Sequence, residues 1–136
     1  ARPEDAAAVA SLDRDASAMD RTRLLDFLRT TGRIVVLERG DALAGYACVR
    51  RWGRGVVVGP VIAADVDGAK ALIARLVALH AAEFVRIDVT EASGLSPWLE
   101  SAGLPRVDAV VSMALGTAPP TGSGATLYAF ANQSLG

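Results

Sequence analysis

Arg50, Arg51 and Arg54 surround Trp52, and cations next to an aromatic face are the combination that recognises anions and flat π surfaces. The competing reading of this stretch is a hairpin turn from Arg50 to Gly55 with solvated charges, because such loops are ordinarily polar and exposed. The chain has one histidine, His80, and it falls on an apolar helical stripe, which suits a helix-end residue with one satisfied nitrogen better than a general base. The one cysteine, Cys48, sits in the apolar run from Gly45 to Val49 and reads as a small buried hydrophobe; no internal disulfide and no cysteine-based metal cluster can form. Asp65 and Asp67 stand where a helix begins, as capping residues do. Glu91 and Glu100 read as solvated, and Trp98 as a core anchor for a short helix. These residues mark no metal site and no catalytic constellation.

The elements that position them follow from periodicity and punctuation. Pro3, Glu4 and Asp5 open a first helix through Val9 and Leu12, since proline has no N–H to lose there and acids favour the helix N-terminus. Asp20 caps a second, carrying Leu24, Leu25, Phe27 and Leu28 to Gly32. From Ile34 the pattern turns β-branched: Ile34 to Leu37, Leu43 to Val49 and Val56 to Ala63 read as three antiparallel strands. Pro60 interrupts the third, where its missing N–H predicts a bulge or a parting from one neighbour near Gly59. Such a parting leaves backbone groups to which an extended ligand can add. An edge bulge without a ligand is the alternative.

Asp67 to Ala82 follows as an amphipathic helix, with Ala69, Leu72, Ile73, Leu76, Val77 and His80 on one face. Phe84 to Val89 is the next strand, parallel to the third through a right-handed crossover. A short helix from Leu95 to Ala102 and two strands, Arg106 to Leu115 and Thr126 to Ala131, complete the chain, with a Gly, Pro, Ser and Thr-rich connection from Thr117 to Gly124 expected to be mobile.

Composition restricts function. The 136 residues suit one domain, and half are hydrophobic with only 5% aromatic, so aliphatic side chains must fill the core. A net charge of -1 argues against non-specific nucleic-acid binding, which needs a cationic face. No apolar run reaches the roughly 20 residues that cross a bilayer, and no signal pattern opens the chain, so a cytoplasmic location is expected.

The order helix, helix, three antiparallel strands, helix, strand, helix, two strands resembles the GNAT N-acetyltransferase fold: a mixed, mostly antiparallel α/β sheet flanked by helices, here with the first strand absent. Leu12-Asp13-Arg14, Met19-Asp20-Arg21, Gly45-Tyr46-Ala47, Arg50 to Gly55 and Gly59-Pro60-Val61-Ile62-Ala63 are similar to the C-terminal domain of bacterial tandem GNAT proteins, as is the ending from Leu127 to Gly136. The resemblance implies one GNAT domain over 1–136, preceded in the intact protein by a catalytic GNAT domain. It also implies acetyl transfer from acetyl-CoA to an amine of a small molecule or peptide, and leaves a sheet edge through which a homodimer could form.

That chemistry needs a strand edge for the pantetheine arm, helix N-terminal amides for the pyrophosphate and a proton path to the leaving thiol. By resemblance Val61 and Ala63 supply the first, and Gly68, Ala69 and Lys70 the second. The family's phosphate loop has Arg or Gln, then Gly, then Gly or Ala, where this chain has Asp67, Lys70 and Leu72. A carboxylate there would occupy the amides and repel a pyrophosphate. Leu99 stands where many members carry a tyrosine, leaving Tyr46, Tyr128 or water as substitutes, and Glu91 follows a strand end where members place substrate-handling groups. These departures imply the alternative of a degenerate, non-catalytic domain that binds substrate or packs on a catalytic one.

Overall fold

The computed structural model describes residues 1–111, 116, 122 and 124–133. A single 3-10 turn, Pro3–Asp5, leads into α1 (Ala6–Ser17) and α2 (Thr22–Thr31). Asp20 accepts hydrogen bonds from the Thr22 amide and hydroxyl, at 3.0 and 2.6 Å, so it guards the start of α2. Gly32 ends that helix and begins β1 (Gly32–Arg39) without a linker. β2 (Ala42–Trp52) and β3 (Gly55–Ala63) continue as antiparallel hairpins.

After β3, α3 (Val66–Leu79) returns the chain to β4 (Val85–Ile87), which pairs with β3 in parallel. α4 (Ser96–Ser101) holds Pro97 in its first turn, where no hydrogen bond is lost, and Gly103 follows it with φ of 90°. β5 (Thr126–Ala129) is the last strand. The strand expected from Arg106 to Leu115 does not form over 106–111, where Val107, Val110 and Val111 are exposed and no neighbouring strand pairs with them. Its remainder, and the expected mobile connection apart from Gly122 and Gly124, lie outside the described residues.

The sheet separates two cores. Val35 and Leu37 of β1 and Ala47 and Val49 of β2 face α3 and α4, where Leu72, Ile73, Leu76, Leu95 and Leu99 pack. Ile34, Tyr46 and Cys48 face α1 and α2 with Val9, Leu25 and Leu28, as the period of two requires. On β3 that alternation changes parity: Val56 and Val58 face α3, and so do Val61 and Ala63. The register explains it, because Gly59 and Pro60 together lie opposite Cys48 alone. The extra residue is the irregularity expected at Pro60. The Gly59-Pro60 peptide is cis.

Candidate functional site

At this irregularity β3 exchanges one neighbour for another. Val56 to Val58 pair with β4, and Val61 to Ala63 pair with β5. Beyond Ile87 the chain of β4 diverges from β3, and β5 lies in the fork between them. Its second edge is held by the β4 extension: Phe130 N donates to Asp88 O at 2.8 Å, Thr90 N donates to Tyr128 O at 3.1 Å, and Val89 bridges Ala129. The backbone edge where an extended ligand could add is therefore filled by the protein's own strand. Val61, Ile62 and Ala63 are completely buried.

Gly59 makes the fit possible. Its φ is 155°, and a Cβ there would overlap the Phe130 carbonyl oxygen and lie 3.0 Å from the Phe130 carbonyl carbon. Only a residue without a side chain allows the strand leaving β5 to pass so close.

The N-terminus of α3 borders the same fork. Asp65 is its cap, accepting a hydrogen bond from the Gly68 amide at 2.8 Å. Arg39 of β1 grips both Asp65 oxygens, with Nη2 3.0 Å from Oδ1. The Arg39 guanidinium, followed by the Gly68 amide, holds the Asp65 carboxyl down to a pKa of about 2. Gly68 is small for packing reasons, since a Cβ would lie 2.9 Å from Leu37 Cδ2 and 3.3 Å from Asp65 Oδ1. Ala69 is fully buried towards the sheet, and the Lys70 ammonium sits 5.8 Å from the centroid of the Trp98 ring. The positions expected to cradle a donor thus lie together around the fork, with Val61 and Ala63 paired to β5 and the Gly68 amide bonded to Asp65.

Among the described residues, the side chains considered for a proton path are engaged in the interior. The Tyr46 hydroxyl is buried on the α1–α2 side and donates a short hydrogen bond to Asp13 Oδ1. Burial, with the Asp13 carboxylate next to it, pushes its pKa far above the ordinary tyrosine value. Arg21 closes the cluster by donating from Nε and Nη2 to Asp13 at 3.0 and 2.6 Å. This network ties α1 and the start of α2 to β2. Tyr128 packs in the core towards α3, its hydroxyl pKa raised by burial and by the nearby Asp65 charge. Leu99 is buried and has no proton to give.

His80 caps the C-terminal end of α3, with Nδ1 2.7 Å from Glu83 Oε1 and Glu83 also paired with Arg51, so it has the satisfied nitrogen the sequence suggests. Glu91 and Glu100 are exposed. The arginine-tryptophan cluster combines features of both readings: the hairpin turn is confined to Gly53 and Arg54, Arg51, Trp52 and Arg54 are exposed, and Arg50 is buried in β2 with its guanidinium stacked on the Trp52 ring. A groove of about 680 Å³ lies on the other side of the molecule, along the free edge of β1 between Ala6, Arg29 and Ile34. No donor-binding position lines it.

A mixed sheet whose third strand parts from a parallel neighbour beside a helix N-terminus is the arrangement expected of the GNAT class of α/β fold. The profile of the family described as acetyltransferase (GNAT) domain matches residues 9–129, and the chain belongs to that family. A crystal structure of a mutant of TTHA1254 from Thermus thermophilus is similar in fold, with a TM-score of 0.60 and 24% identity, covering 85% of this chain and 97% of that one. No curated protein matches the sequence.

Acetyl-CoA, the donor that the family generally uses, does not fit these residues in the expected manner. Its strand edge is taken by β5, and a carboxylate already accepts the Gly68 amide at the helix where a pyrophosphate would bind. No described helix is long and apolar enough to cross a membrane.

Proposed function

We propose that this chain is a GNAT domain without a donor site of its own, acting within a longer cytoplasmic acetyltransferase. In that reading an upstream catalytic domain transfers acetyl from acetyl-CoA to an amine of a small molecule or peptide. The domain described here binds the acceptor or packs on its catalytic neighbour. The observation that carries the reading is β5 paired into the fork, with backbone hydrogen bonds on both edges. A pantetheine arm would have to break those pairings to reach Val61 and Ala63. Two carboxylates at the start of α3, Asp65 as cap and Asp67 after it, act in the same direction by opposing a pyrophosphate.

Family membership supports the second reading, a domain catalytic by itself, which requires β5 to leave the fork when the donor arrives. Calorimetric titration with acetyl-CoA separates the two. No heat up to millimolar donor is expected for the first. Stoichiometric heat with a dissociation constant in the micromolar range would overturn it and establish the second.

A further inference from the structure

Arg50 is a buried cation with no counterion among the described residues. It is 6% exposed, and no carboxylate among the described residues pairs with it. Its Nη2 donates to the Ala131 carbonyl at 3.1 Å, and its Nε, also buried, has no partner. Neighbouring arginines differ: Arg51 is paired with Glu83 and Arg86 with Asp88. A buried guanidinium with a free donor carries a desolvation cost that a neutral carbonyl offsets only in part.

The surroundings define the missing group. Arg50 projects to the α1–α2 side of the sheet, in the same parity as Tyr46 and Cys48, and lies opposite Val57 of β3. Trp52 is two residues along on the same side, with its ring centroid 4.8 Å from the guanidinium carbon and its side chain 42% exposed. One uncompensated positive charge calls for one negative charge. A planar fork of donors beside an aromatic ring matches a planar two-oxygen acceptor.

We propose that Arg50 anchors a binding site for a small organic carboxylate, received on the Nε side of its guanidinium beneath Trp52. The site adjoins the segment leaving the fork through the Ala131 carbonyl, so it rests on the reading in which β5 keeps its seat there, while its probes carry no donor and report on Arg50 alone.

The test uses N-acetylglycine and its uncharged counterpart N-acetylglycinamide as probes. Two readouts suffice: the Nε–H proton resonance of Arg50, assigned by its loss in Arg50→Lys, and Trp52 emission in a Trp98→Phe background. The acid is expected to shift both saturably while the amide leaves both unchanged. Arg50→Met is expected to weaken the acid by about 10- to 100-fold, the loss of a charge-assisted hydrogen-bond pair. Should that variant fail to fold, Arg50→Lys keeps the charge without the fork and is expected to bind more weakly than the native protein. Equal responses to acid and amide, an equal response to sodium chloride at matched ionic strength, or unchanged affinity in the variants overturns the proposal.

Discussion

Replacing Gly59 by alanine tests the seating of β5 at a single atom. Two costs arise from the structure. The φ of 155° is one that L-residues rarely adopt, and holding it costs about 1–3 kcal/mol. The new methyl group also overlaps a backbone oxygen, Phe130 O, which cannot rotate away as a flexible side chain would; forced overpacking of this kind costs roughly 1–3 kcal/mol. Against these stands the lower entropy of the unfolded chain, which favours alanine by about 0.4–1 kcal/mol. The costs win, leaving a net destabilisation of about 1–6 kcal/mol. Urea unfolding of the two proteins measures it as a lower midpoint at unchanged slope. The same change should lower the melting temperature by roughly 3–6 °C per kcal/mol in a chain of this size. A variant within about 0.5 kcal/mol of the native protein would refute the argument, because a surface substitution alone has that effect. It would mean that Phe130 does not pass over Gly59.

Other consequences can be checked in parallel. Asp13→Ala removes the carboxylate that both Arg21 and Tyr46 bond in the interior and should cost about 3–5 kcal/mol in equilibrium unfolding, with Tyr46→Phe costing about 1.5–3 kcal/mol; equal, negligible losses would contradict a buried network. Asp65 has a folded pKa depressed to about 2, so its stabilising contribution is complete above the unfolded value near 4 and is lost as pH falls from there towards 2. Asp65→Asn should therefore flatten the acid limb of the stability curve, less so in high salt, and an unchanged limb would exclude the Arg39 pairing. Burial pushes the Cys48 thiol up to about 12, so a disulfide reagent at pH 8 should modify the native protein only as fast as it unfolds, while the denatured chain reacts at once. Immediate stoichiometric labelling of the native protein would contradict that burial.

The parts of this fold legible in the sequence are those with local causes. Gly32, Asp65 and Gly103 end or begin helices through their own backbone or side-chain chemistry, and Pro60 announced the change of pairing on β3 because a proline cannot serve a strand ladder on both sides. The family followed from the order of such elements. The filling of the fork is a long-range event, in which a four-residue strand near the end of the sequence meets β3 and the continuation of β4, and no local pattern in Thr126–Ala129 specifies that partner. Arg50 shows the same limit. Its charge suggests solvent, yet Ala131, distant in sequence, meets its guanidinium, and the two-residue turn at Gly53 and Arg54 places it inside β2. A glycine at the first position of so short a turn was the signal that would have moved the strand end to Trp52.

Hydrogen exchange across the fork addresses the central claim most directly. The amides of Ile62, Leu127 and Ala129 should exchange as slowly as those of Val57 and Val58, with rates that do not change when millimolar acetyl-CoA is added. Rapid exchange at Leu127 and Ala129 in the free protein, or release of β5 with new protection at Val61 to Ala63 on adding the donor, would contradict a permanently occupied fork.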